Sequence, residues 1–101
     1  MPSYIALATL LDGPAHGYAI MRRAEALSGV RPSTGTLYAL LDRAIAEGLV
    51  VAGEPYVEGG RERRDYALTP AGRSELAAET RRLERAARTV ARKLRATTVP
   101  A

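Results

Sequence analysis

No cysteine, tryptophan or phenylalanine occurs in these 101 residues, and histidine occurs once. Without cysteine there are no disulfides and no thiolate metal sites. A single imidazole, His16, cannot build the clustered-ligand zinc sites that need several nitrogen or sulfur donors. No serine, cysteine or carboxylate constellation surrounds His16 in the sequence, so general-base and nucleophile chemistry have no partners to work with. It reads as a helix-start residue satisfying backbone groups, with a pH-sensitive contact as the other reading. Long apolar runs are lacking too. The longest, Tyr4 to Leu11, is too short to cross a bilayer and has no basic segment ahead of it, which predicts a cytoplasmic chain with no membrane partner. One domain with one modest core is the expectation at this length, not an enzyme and with no cofactor.

What is present in excess is positive charge, and its placement matters more than its total. The formal net charge is +4. Residues 1–70 hold seven Arg against eight Asp or Glu, whereas residues 71–101 hold eight Lys or Arg against three Glu. A polyanionic ligand of the first 70 residues must therefore be met by local clusters rather than by overall charge.

Pro2 suits a first helical turn, and Tyr4, Ile5, Leu7, Leu10 and Leu11 follow until Asp12-Gly13-Pro14 stops the run. The apolar residues of this first helix point in nearly every direction, so Ile5 and its neighbours are expected to face a partner chain as well as their own domain. Ile20, Ala24 and Leu27 then recur at helical spacing, giving a second helix from about His16 to Leu27, ended by Ser28-Gly29. Pro32 disfavours helix at Arg31, and Ser33 is placed to cap a third helix through the Thr36 amide. Leu37, Leu41, Ala44 and Ile45 line one face of that helix, which Gly48 closes.

From Leu49 the pattern shifts to two short strands, Leu49-Val50-Val51 and Tyr66-Ala67-Leu68-Thr69. Between them Glu58-Gly59-Gly60-Arg61-Glu62-Arg63-Arg64 forms a glycine-hinged basic tip. Thr69 caps a last helix with Pro70 at its first position, running about 25 residues. Along it Leu76, Thr80, Leu83, Ala87, Val90 and Leu94 are spaced alternately four and three apart, a heptad seam that calls for another helix. Thr80 and Ala87 are small for such a seam and leave room for close approach or a cavity between protomers.

Helix, turn, helix and basic hairpin make up the order of a winged helix-turn-helix, in which the second helix of the pair enters the major groove and the wing touches the backbone or minor groove. The expected fold is mainly α with a small β-hairpin: a winged helix-turn-helix over residues 1–69, a long C-terminal dimerisation helix over 70–97 in the same structural unit, and a tail over 98–101. With Leu37, Leu40, Leu41 and Ala44 turned to the core, Thr34, Gly35, Tyr38 and Ala39 face outward near the helix start. The candidate double-stranded DNA-binding set is Tyr18, Ser33, Thr34, Gly35, Thr36, Tyr38, Gly60, Arg61, Arg63 and Arg64. The candidate homodimer interface is Ile5, Leu76, Thr80, Leu83, Ala87, Val90 and Leu94. A winged-helix protein-interaction module that does not bind DNA is the alternative reading.

The segments GPAHGYAI, STGTLYALLDRAIAEGLV and GGRERRDYALTPAGR occur in the order seen in PadR-like transcriptional regulators, and the chain resembles that family over nearly its whole length. The resemblance implies a homodimer binding an inverted repeat, usually as a repressor, with the C-terminal helix completing the dimer and a small-molecule effector sometimes held near the interface. By position, Tyr38 of GTLY resembles the family's recognition-helix tyrosine, Tyr18 of HGY lies near phosphate, Arg61 and Arg63 match wing arginines, and Arg64 matches a usual basic residue. The chain departs from the pattern at Ala39, where proline often follows LY, at Ala44-Ile45, at Asp65, and in its short N-terminus. The single C-terminal helix resembles the family's smaller subfamily.

Overall fold

The first apolar run folds as α1 (Pro2–Ala8) but does not stay α-helical to its end: Thr9–Asp12 tightens into a 3-10 turn. The Gly13 amide donates to the Leu10 carbonyl at 3.2 Å, an i→i+3 bond that closes the segment ahead of Pro14. A computed structural model of the chain describes residues 2–97; the expected tail 98–101 lies outside them. Helix α2 (Gly17–Ser28) follows, then α3 (Thr34–Ala46) and α4 (Pro70–Ala96). The caps are local and sit where the sequence puts them. Ser33 Oγ accepts from the Thr36 amide at 3.2 Å, and Thr69 Oγ1 accepts from the Gly72 amide at 2.9 Å with Pro70 at the start of α4.

Among the described residues, five short strands form in place of the two expected. Strand β1 (Ala15–His16) has no counterpart in the sequence reading, because two residues carry no alternation signal. It pairs antiparallel with β5 (Asp65–Leu68), which pairs antiparallel with β2 (Val50–Ala52), giving a three-stranded sheet in the order β1-β5-β2. The wing is a separate ribbon of β3 (Tyr56–Glu58) and β4 (Arg61–Arg63). The expected seven-residue tip shrinks to two residues. Gly59 and Gly60 have φ of 58° and 76°, as a two-residue hairpin turn requires at both central positions, so Arg61 and Arg63 lie in the strand rather than at the tip.

The core gathers Leu7 and Leu10 from the first segment, Ile20 from α2, Leu37 and Leu41 from α3, Val50 and Tyr66 from the sheet, and Leu76 from α4. Each fully buried aliphatic contributes about 1.5–3 kcal/mol. Ile45, expected on the buried face of α3, is exposed: Leu37, Leu41 and Ala44 already fill the stripe, and Ile45 falls at its edge.

Helix α4 is two things in succession. Its first two turns are built into the domain. A Cβ at Gly72 would run into the Leu49 carbonyl oxygen and the Leu68 side chain, so the α4 backbone rests directly on the turn that leads into β2 and on the end of β5. Leu76, expected on the partner-facing seam, is instead 4% exposed inside the domain's own core. Thr80, another seam residue, is also engaged within the chain. Its hydroxyl donates to the Leu76 carbonyl at 2.8 Å, so the Tyr4 hydroxyl, 2.7 Å away, must donate to it. Past this point the helix leaves the domain: Leu83 is half-buried, Ala87 is exposed, and Val90 and Leu94 are 54% and 65% exposed. The longest extent is 62 Å and the radius of gyration 17.0 Å, against about 13 Å for a compact chain of this length. Among the described residues, no helix is long and apolar enough to cross a membrane.

Candidate nucleic-acid interface

The wing and the helix pair meet around one concavity. A cleft of about 370 Å³ is lined by His16, Tyr18, Tyr38, Arg61, Arg63 and Arg64, with Glu62 the sole carboxylate among its lining residues. Three guanidinium groups against one carboxylate make this the basic face of a domain whose first 70 residues carry no positive excess. Tyr18, Tyr38, Arg61, Arg63 and Arg64 from the candidate DNA set are therefore brought together by the fold. Ser33, Thr34 and Gly35 lie exposed at the start of α3 but do not line the cleft. Thr36 points the other way, lining a groove between α1, α2 and α3 with Val30 and Pro32. Gly60 sits at the wing turn.

Two motifs interlock at Tyr38. A Cβ at Gly17 would collide with the Tyr38 hydroxyl, so the glycine of His16-Gly17-Tyr18 leaves the space into which this tyrosine of α3 extends. A phenol 41% exposed but seated against a helix start is fixed in direction while its flank stays open to a ligand. Tyr18, 53% exposed, has Arg22 and Arg31 guanidinium carbons 5.9 and 6.0 Å from its ring centre, within cation–π reach. Arg31 also pairs with Glu25 at 3.1 Å. Sequence reasoning passed over these two arginines. The signal was available for Arg22, four residues after Tyr18 and so on the same face of α2, but Arg31 reaches Tyr18 only through the turn between the helices.

The base of the wing is locked by Tyr56, whose hydroxyl donates to Asp65 Oδ1 at 2.7 Å. That hydrogen bond, helped by burial, holds the Tyr56 proton above the ordinary phenol value of 10.0. Tyr66 lies in the core, and burial pushes its phenol up from 10.0, with Tyr38 adding to the effect. His16 was expected to satisfy backbone groups at a helix start, and it does: its Nδ1 accepts from the Ala19 amide at 3.2 Å. It also touches the wing, with Arg63 Nη1 3.1 Å from Nδ1. Among the described residues no group of three or more His, Cys, Asp or Glu could hold a metal ion.

A helix pair whose second member sets Tyr38 beside a basic two-stranded wing is a winged helix-turn-helix. The comparisons with known proteins agree. Residues 6–78 match the transcriptional regulator PadR-like family, and the chain belongs to it. The family is one of transcriptional regulators, not enzymes. The transcriptional regulator Rv3488 of Mycobacterium tuberculosis is 44% identical over 79 residues, covering 78% of this chain and 72% of that protein. An uncharacterized 37.1 kDa protein of transposon TN4556 from Streptomyces fradiae is 44% identical over 81 residues, which is 80% of this chain but only 22% of that protein's length. Among solved structures, Bacillus subtilis PadR in complex with operator DNA superposes with a TM-score of 0.68 at 25% identity, over 77% of this chain and 46% of that one.

Proposed function

We propose that this chain is a homodimeric transcriptional repressor that binds an inverted repeat in double-stranded DNA, one half-site per protomer. The observation that carries the reading is the basic cleft between the α3 tyrosine and the wing, where Tyr38, Arg61, Arg63 and Arg64 converge. Helix α3 enters the major groove by its N-terminal end, where Thr34 and Gly35 are exposed and small and the first amides of the helix favour phosphate. The wing arginines and Tyr18 follow the backbone, fixing position rather than sequence. The resemblance of fold to a regulator seen on its operator supports the same docking.

Dimerisation goes through the outer half of α4, where Leu83, Ala87, Val90 and Leu94 continue the seam beyond the reach of the chain's own domain, together with Ile5 on α1. Two-fold symmetry then sets half-sites about one turn, roughly 34 Å, apart, and repression follows from occlusion of polymerase. Ala87, small between Leu83 and Val90, leaves room between protomers for a small-molecule effector. Calorimetric titration with planar aromatic compounds tests that part of the proposal, and no heat at any concentration removes it.

The central test is a mobility shift against sites selected from genomic DNA, competed with random DNA, at two salt concentrations. Specific retention that weakens steeply with salt is expected, since each neutralised phosphate adds to the slope. No retention, with capture instead of an acidic protein surface by the wing, would make the fold an interaction module.

A further inference from the structure

His16 does more than cap a helix. Arg63 Nη1 lies 3.1 Å from its Nδ1 and 3.3 Å from its Nε2. An atom nearly equidistant from both ring nitrogens cannot lie in the ring plane, where the Cε1–H between them stands in the way, so the guanidinium nitrogen stands over the imidazole face. Because Nδ1 accepts from the Ala19 amide, that nitrogen carries no proton, and the neutral ring holds its proton on Nε2. Arg63 Nε is buried without a hydrogen-bond partner, and among the described residues Arg63 makes no ion pair. The imidazole is thus the side chain that locates this guanidinium.

We propose that His16 is the positioning residue of the wing: its neutral ring ties the start of α2 to β4 and holds Arg63 into the cleft beside Tyr38, so that DNA affinity depends on the charge of one imidazole. The proposal rests on the DNA-binding reading above and adds a control to it. The titratable and charged groups that share the cleft with the ring are Tyr18 from α2, Tyr38 from α3, Arg61, Glu62 and Arg63 from β4, Arg64 beside it, and Tyr66 from β5, and Asp65 is the register partner of His16 across the β1–β5 pair. Arginines outnumber carboxylates there, and Asp65 Oδ1 is taken by the Tyr56 hydroxyl. A proton on Nδ1 removes the acceptor that caps α2 and sets a second cation against the Arg63 guanidinium. Both changes release the wing arginine. A ring that instead met DNA phosphate directly would respond with the opposite sign, gaining affinity as it charged.

The experiment is fluorescence anisotropy of the full chain on a selected DNA site, at constant ionic strength, from about pH 8 to about pH 5.5, the range over which histidine changes charge. The wild-type dissociation constant rises about five- to tenfold more on acidification than that of His16→Asn, whose amide oxygen can still accept from the Ala19 amide but does not titrate. Arg63→Gln binds more weakly at the alkaline end and loses the same acid response, which keeps the test available if His16→Asn does not fold by circular dichroism. Parallel profiles for wild type and variants, or tighter wild-type binding in acid, overturn the positioning role while leaving the DNA reading intact. Wild-type protein that fails to bind at any pH overturns both.

Discussion

The two halves of α4 carry the same spacing of residues and meet opposite surroundings. Leu76 and Leu94 both belong to the seam, yet one is 4% exposed in the domain core and the other 65% exposed at the far end of the helix. Heptad spacing states which stripe of a helix is apolar; it does not state what covers the stripe. The inner half is covered by the chain's own α1 and sheet, with the Tyr4–Thr80 hydrogen bond marking the boundary. The outer half is offered to something else. One helix therefore serves the fold with its first turns and, on the proposed reading, would serve association with its last.

Substitutions on either side of that boundary should separate the two roles. The largest effect is expected in the core. Leu41→Ala, at a 1% exposed position, should lower the unfolding free energy in urea by about 2–5 kcal/mol, whereas Val90→Ala should cost under about 0.5 kcal/mol at protein concentrations low enough to keep protomers apart. Comparable losses would erase the contrast. Next comes the double variant Val90→Glu with Leu94→Glu, which should weaken association about a hundredfold, or about 2.7 kcal/mol. Its melting temperature should lose the dependence on protein concentration that a dimer shows. Sedimentation equilibrium reads the same change directly, and an unaltered mass would place the interface elsewhere. Gly72→Ala puts a methyl group against the Leu49 carbonyl and should cost about 1–3 kcal/mol in thermal unfolding. The smallest effect belongs to the boundary itself: Tyr4→Phe removes one hydrogen bond to Thr80 and should cost about 0.5–1.5 kcal/mol, with the dimer intact.

The features legible in the sequence are those decided by near neighbours. Ser33 and Thr69 cap their helices with acceptors three residues from the amides they satisfy, and Pro70 opens α4, so these boundaries could be read directly. The glycine pair at the wing was equally plain, although the hairpin closes more tightly on it than composition suggested and takes Arg61 and Arg63 into a strand. What could not be read depends on distant pairs. Strand β1 exists because Ala15 and His16 find Tyr66 and Asp65 some fifty residues later. The His16–Arg63 contact and the seat of Tyr38 against Gly17 are of the same kind. The place of Leu76 is of that kind too: its burial accompanies the close contact of α4 with Leu49 and Leu68 at Gly72, and nothing in the helix's own periodicity records it.

The Tyr4–Thr80 hydrogen bond, where α4 leaves the domain, is also the pivot of a lever. The 16 residues from Arg81 to Ala96 reach about 24 Å at about 1.5 Å each, so a tilt of about 8° at the pivot carries the far end sideways by about 3 Å. This is close to the rise of one base pair, about 3.4 Å. In a two-fold pair joined through the outer half of α4, the tilt acts on both arms at once. The gap between the two α3 helices, and with it the spacing of half-sites that fits, would then be gauged by one tyrosine–threonine hydrogen bond outside the basic cleft.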